Sequence, residues 1–167
     1  SIGAAVERLD SEPDLGAVGG KIVLLKGRLQ EAGSIIWNDG TCLGFGREGD
    51  PWAAEFQFRR DVDYCSGAFL MTPRAVFERL GGFDMAFAPA YYEDTDLACR
   101  VRQAGREVLY QPLSIVVHYE GMTGGNDVTV GVKRHQVVNE KKFAARWTPH
   151  LSQHSDSKTP LDIVKDR

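Results

Sequence analysis

Runs of strand character alternate with stretches of helical periodicity along these 167 residues, and one hairpin breaks the alternation. Ile2, Ala5, Val6 and Leu9 fall at i, i+3, i+4 and i+7, one face of a helix that Ser11-Glu12-Pro13-Asp14 ends. Residues 17–24 read as a buried strand, and 34–37 and 41–45 as a hairpin turning on Asn38-Asp39-Gly40, residues that tolerate positive φ. Residues 47–60 mix charges with Pro51, Trp52, Phe56 and Phe58 and are expected to form a long surface loop. Residues 64–71 predict a strand buried on both faces, then a helix capped by Thr72 with Pro73 in its first turn, stopped by Gly81-Gly82. A second helix is expected over 93–104, with Gly105 as its stop, then strands over 107–111 and 114–119. A glycine loop over 121–125 leads to a helix over 132–147 that carries Asn139, Phe143 and Trp147 on one face. The fold class is α/β, a mixed sheet flanked by helices.

The length suits one domain or a piece of a larger one. The chain opens inside a helical pattern without an initiator Met, as expected of a segment cut from something longer. Composition narrows the function: with 43 % apolar and 26 % charged residues the chain is an ordinary globular one, and a net charge of −3 offers no basic field for a polyanion, so no nucleic-acid partner is expected. No apolar run approaches the roughly 20 residues of a spanning helix, and residues 1–20 lack the pattern of an export leader. Cys42, Cys65 and Cys99 are odd in number and widely spaced, and none of Asn38, Asn126 and Asn139 starts a glycosylation sequon. Reduced thiols in the cytoplasm are the expectation.

Several motifs reduce to structure. Gly44-Phe45-Gly46-Arg47-Glu48-Gly49 spells a dinucleotide fingerprint, but Asp50-Pro51 follows where a helix must begin. Cys65 or Ser66 with His118 as base would make a nucleophile pair, yet both lie in an apolar run with no nucleophile elbow around them. Asp61-Val62-Asp63 and Asp94-Thr95-Asp96 both spell Asp-x-Asp without the strand end that holds a cation on a diphosphate. Glu93, Asp94 and Asp96 are different. Acids in a first helical turn complement the macrodipole, but three of them after the aromatic loop 87–92 also form a spot where a carboxylate can act as base or ligand. His118 at a strand exit could ligate a metal or simply end the strand.

In combination, Tyr64-Cys65-Ser66-Gly67-Ala68-Phe69-Leu70-Met71, Gly81-Gly82-Phe83-Asp84, Tyr91-Tyr92-Glu93-Asp94-Thr95-Asp96-Leu97, Arg100, Gly105, Tyr110, Pro112 and His118-Tyr119-Glu120-Gly121 resemble one family. It is the C-terminal half of inverting, GT-A-fold, family-2 nucleotide-sugar glycosyltransferases of the rhamnosyltransferase-like kind that build polysaccharides. The likeness runs from about Ala17 to Trp147. It implies that residues 1–150 are the acceptor-side half of a transferase domain with the N-terminal nucleotide-binding half absent, followed by a polar tail over 151–167, and that the isolated piece is inactive.

The resemblance also assigns roles. Asp94 would be the catalytic base and Glu93 and Asp96 its supporting neighbours; His118 would be the metal-ligating or diphosphate-contacting histidine. Ser66, Gly67 and Ala68 would lie near the donor sugar, Tyr92 would contact substrate, and Trp52 with Phe56 and Phe58 would offer faces for acceptor rings. An Asp94 near the ordinary carboxylate pKa of about 4 would be ionised and ready to take a proton. The implied cofactor is Mg²⁺ or Mn²⁺, held largely by the missing half. The implied partners are a nucleotide-sugar donor and a saccharide or lipid-linked acceptor, with peripheral association at the inner face of the membrane for the full-length protein and a homodimer of the fragment through its uncovered face. The competing readings are a non-catalytic module of the same fold that binds glycans or a protein, and a thiol or serine hydrolase.

Overall fold

The apolar run at residues 17–24 is the spine of a mixed sheet. A computed structural model of the chain describes residues 2–119 and 131–161. Strand β1 (Leu15–Leu24) is buried at every position, as a strand covered on both faces must be. It pairs in parallel with β7 (Glu107–His118), and antiparallel with β2 (Leu29–Ala32) and the short β6 (Leu70–Met71). β5 (Arg60–Asp61) adds antiparallel to β7, and the hairpin β3 (Ser34–Ile36) and β4 (Cys42–Gly44) forms a separate two-stranded sheet. Helix α1 (Ile2–Ser11) buries Ala5 with Leu15, Val18 and Leu109. Helix α3 (Glu93–Gln103) packs Leu97, Ala98 and Val101 on Ala17 and Val108. Helix α4 (Arg134–Leu151) buries Phe143, Trp147 and Leu151 against Ile36, Phe87 and Tyr92. Among the described residues no helix is long and apolar enough to cross a membrane.

The expected α/β class, the hairpin and the helices after residues 93 and 132 are present, and five local expectations change. Residues 64–71 are not one strand: a 3₁₀ turn at Gly67–Phe69 breaks the run, leaving only β6. Thr72 does not cap α2 (Arg74–Arg79); its hydroxyl donates to the Gly16 carbonyl at 2.7 Å, tying the chain to β1 instead. The two expected strands at 107–111 and 114–119 are one strand with a bulge, because Gln111 sits opposite Gly20 and Ile115 opposite Lys21. Pro112, which has no N–H for the ladder, lies in that bulge. Phe56 is no exposed ring: it is buried edge-on against Phe45. The chain after Pro149 is not loose where described, since α4 runs to Leu151 and the Asn38 N–H donates to the Ser155 carbonyl at 3.0 Å. The expected glycine loop at 121–125 and residues 162–167 lie outside the described residues.

Two polar side chains fix α3 and the loop before it against α4. Asp96 is fully buried, and its carboxylate accepts from Arg100 Nε at 2.7 Å and from both Arg146 and Trp147 Nε1 at 2.9 Å. Arg100 in turn donates to the carbonyls of Leu80 and Gly82, so the loop before α3 is held by the same group. Asn139, also fully buried, directs its amide nitrogen at the carbonyls of Phe87, Ala90 and Tyr91, at 2.7, 2.9 and 3.0 Å. Removing one member of a buried ion pair strands the other. Asp96→Ala is therefore expected to cost about 3 to 5 kcal/mol, and Asn139→Ala about 1 to 3 kcal/mol through the loop carbonyls it leaves unsatisfied. Urea denaturation measures both; a loss below about 1 kcal/mol for Asp96→Ala would contradict this anchoring role.

Candidate functional site

The approach to α3 is unusual. Tyr91 and Tyr92 take consecutive left-handed conformations, at φ 74° and 72°, which side chains with a Cβ seldom adopt. The Asn139 contacts hold this turn, and the Tyr92 hydroxyl lies 3.2 Å from the Gly40 carbonyl and from Glu140, anchoring it to the hairpin and α4. The chain then enters α3 with Glu93 and Asp94 on its first turn.

These residues line a cleft of about 820 Å³ between the hairpin, the Ser66 turn, α3, the end of β7 and the start of α4. Asp94 is half-buried there. Its Oδ2 accepts the Gly67 N–H at 2.8 Å, and its Oδ1 accepts the Thr95 N–H at 2.7 Å and the Thr95 hydroxyl at 3.2 Å. Burial nevertheless raises its pKa above the ordinary value, outweighing these bonds, which favour the ionised form. The expectation of an unperturbed carboxylate is corrected in that direction. Glu93 is raised as well, first by burial and then by Asp94, and its Oε2 is buried without a partner.

Of the other residues singled out from sequence, Ser66, Gly67, Ala68, Tyr92 and His118 all line this cleft. The Ser66 hydroxyl accepts the Ala68 N–H at 3.2 Å and so shapes the turn. His118 Nδ1 lies 2.8 Å from Gln30 Oε1; with an acceptor facing Nδ1, the assigned tautomer protonates that nitrogen and leaves the Nε2 lone pair available. Asp96 does not line the cleft, because it points into the core as described above. Trp52 lies outside it too, 64 % exposed with Lys21 Nζ 5.1 Å from its ring centre. Among the described residues no three His, Cys, Asp or Glu side chains come together to hold a metal ion. His118 would be one ligand at most.

Cys65 is a poor nucleophile candidate. It is buried, its thiol donates to the Leu109 carbonyl at 3.7 Å, and burial pushes its pKa well up.

The residue that sequence reading missed is Glu31. It lines the cleft, is only 6 % exposed, and its Oε1 accepts the Ser66 N–H at 3.1 Å. Burial drives its pKa up to about 7, with the Ser66 bond opposing and the Asp94 charge adding. Its only sequence signal is an acid in the short run Leu29-Gln30-Glu31-Ala32, which does not differ from an exposed strand face. Arg47 and Lys133, on other walls of the cleft, bring positive charge to the same space.

No protein-family model matches the chain. It is 27 % identical over 147 residues to an uncharacterized protein, y4gI, of Sinorhizobium fredii, covering 85 % of this chain and 16 % of that protein. Over 92 residues it is 30 % identical to an N-acetylglucosaminyl-diphospho-decaprenol L-rhamnosyltransferase of Mycobacterium tuberculosis, covering 52 % of this chain and 30 % of the relative. Over 58 residues it is 38 % identical to the rhamnosyltransferase WbbL of Escherichia coli, covering 35 % and 22 %. The chain thus spans less than a third of the length of each relative, and it is distantly and partially similar to rhamnosyltransferases.

Proposed function

We propose that this chain is the acceptor-side part of an inverting, GT-A-fold glycosyltransferase that moves a sugar from a nucleoside-diphosphate donor to a saccharide or lipid-linked acceptor. The observation that carries the reading is the Asp94 carboxylate, fixed by the Gly67 and Thr95 amides in a cleft it shares with His118. The partial similarity to rhamnosyltransferases supports it.

In this reading Asp94 accepts the proton of an acceptor hydroxyl as that oxygen bonds to the anomeric carbon. The bond from that carbon to the diphosphate oxygen breaks, and its electron pair leaves with the nucleoside diphosphate. A carboxyl whose pKa burial has raised is a stronger base than one in water, provided it is still ionised at working pH. Nδ1 of His118 is engaged by Gln30, and the lone pair this leaves on Nε2 suits a cation or a hydroxyl proton rather than the anionic oxygens of the leaving group.

An activated L-rhamnose donor and an N-acetylglucosaminyl-diphospho-decaprenol acceptor, the substrates in one relative's name, are the first pair to test on the intact protein that carries this chain. Asp94→Asn is expected to lower kcat at least about 100-fold while changing donor affinity only a few-fold; unchanged turnover would remove Asp94 from the base role. The wild-type rate should fall as pH drops through the raised Asp94 pKa, because protonation removes the base, and the limb should start above pH 4 rather than at it.

Gly67 gives an independent check. A Cβ there would lie 3.5 Å from Asp94 Oδ2 and 3.8 Å from Asp94 Cβ, ordinary contacts, so the protein itself leaves room for a methyl group. Gly67→Ala should shift the melting temperature by at most about 2 °C. Transfer should drop at least about 10-fold, since the methyl group occupies space meant for the donor sugar. Full activity in a normally folded variant would show that nothing approaches this turn closely.

A further inference from the structure

Glu31 sits opposite Asp94 on the same piece of backbone. Two successive amides face opposite carboxyls: the Ser66 N–H donates to Glu31 Oε1 at 3.1 Å, and the Gly67 N–H donates to Asp94 Oδ2 at 2.8 Å. One carboxyl comes from β2 and the other from the first turn of α3, yet a single dipeptide sets the position of both. Both line the cleft.

Resting on the transferase reading, we propose that Glu31 reads the acceptor, its carboxyl hydrogen-bonding the sugar hydroxyl next to the one that Asp94 deprotonates. A sugar ring carries neighbouring hydroxyls, and a pair of carboxyls held by neighbouring amides matches that arrangement. The two must play different parts. Asp94 must be ionised to take a proton, whereas a neutral Glu31 can donate to one oxygen and accept with the other, as a hydroxyl partner requires. The surroundings favour this division. Glu31 is the more deeply buried of the two, and its pKa of about 7 keeps it largely protonated below neutrality. The groups that face it are Ser34 and Tyr64, Cys65 and Ser66 of the turn, Asp94 of α3, and Arg47 after the hairpin; Gln30 beside it on β2 is turned to His118. Of these Asp94 raises the Glu31 pKa, and Arg47, the nearby Ser34 hydroxyl and the hydrogen bond from Ser66 lower it, with burial outweighing them all.

The test uses the intact protein, the rhamnosyl donor and N-acetylglucosaminyl-diphospho-decaprenol, with acceptors lacking the 3-, 4- or 6-hydroxyl in turn. Glu31→Ala is expected to raise the acceptor KM roughly 10- to 100-fold with little change in the donor KM, and to lose its effect with one of the deoxy acceptors. Glu31→Gln keeps a carbonyl for the Ser66 N–H and a donor for the substrate, so it should restore most of the affinity. In the wild type the acceptor KM should climb between pH 6 and 8.5 as Glu31 loses its proton; in Glu31→Gln that climb should vanish. A purely structural Glu31 would move the melting temperature without a pH-dependent KM or a deoxy-specific effect. Transfer that Asp94→Asn abolishes, with an acceptor KM equal in wild type, Glu31→Ala and Glu31→Gln, would overturn this inference and leave the transferase reading standing. No transfer by the wild-type protein would overturn the reading beneath it, and this inference too.

Discussion

The buried carboxylate of Asp96 is the interaction on which the arrangement of the cleft depends. It takes hydrogen bonds from α3 itself through Arg100 and from α4 through Arg146 and Trp147, so it fixes both the axis and the rotation of α3. Rotation matters because residues two apart on a helix point about 200° away from each other. With Asp96 locked into the core, Asp94 is turned to the opposite side, where the cleft lies. The left-handed pair Tyr91-Tyr92 would be free to relax if the loop were loose, and Asn139 prevents that by gripping three of its carbonyls. A strained turn persists where its surroundings over-determine it. Here the determining groups sit on a helix about fifty residues further along the chain.

The second constraint is electrostatic. Glu31, Glu93 and Asp94 share one cleft, and burial raises the proton affinity of each. They are not equivalent. Asp94 takes two backbone amides and a hydroxyl and stands on the first turn of α3, where the helix dipole favours negative charge. Glu31 lies deeper and takes one amide. Carboxyls held in such unequal surroundings can serve as base and hydrogen-bond donor at one pH, which two identical solvated acids cannot do. The positive groups Arg47 and Lys133 on other walls of the same cleft give it both signs, and the proposed substrates carry neutral hydroxyls at one end and a diphosphate at the other.

Much of this was legible in the sequence where periodicity or turn chemistry spoke. The α3 stretch shows its apolar face in Leu97 and Val101 and its stop in Gly105, and Asn139, Phe143 and Trp147 are spaced as the buried stripe of α4. The acidic turn itself was visible as a dense charge. What stayed hidden depended on contacts between distant segments. Nothing local tells Asp96 from Asp94; only Arg146 and Trp147, fifty residues on, decide which acid is structural. Glu31 carries no sequence signal of its own, and only β1 on one side and the Ser66 turn on the other, both distant in the chain or set by pairing, enclose it. Trp52 and Phe56 looked alike as ring-bearing loop residues, yet one is exposed and the other pinned under Phe45.

The site also depends on side chains that are absent. A Cβ on Gly19 would lie 2.2 Å from the Cys65 Cβ and 2.4 Å from its sulfur, and one on Gly20 would meet the Ser114 carbonyl at 2.2 Å. The Cys65 side chain therefore packs directly on the bare backbone of β1, and the Phe69 carbonyl of the turn that follows would lie 3.3 Å from the same Cβ on Gly19. That close approach brings the Ser66 and Gly67 amides within reach of the carboxyl from β2 on one side and the carboxyl from α3 on the other. A methyl group at Gly19 would push the turn outward and loosen both bonds together, although it touches neither acid. Bare backbone in the core of the sheet is thus part of how the cleft holds its two carboxyls, just as Asp96 and Asn139 are from the opposite side.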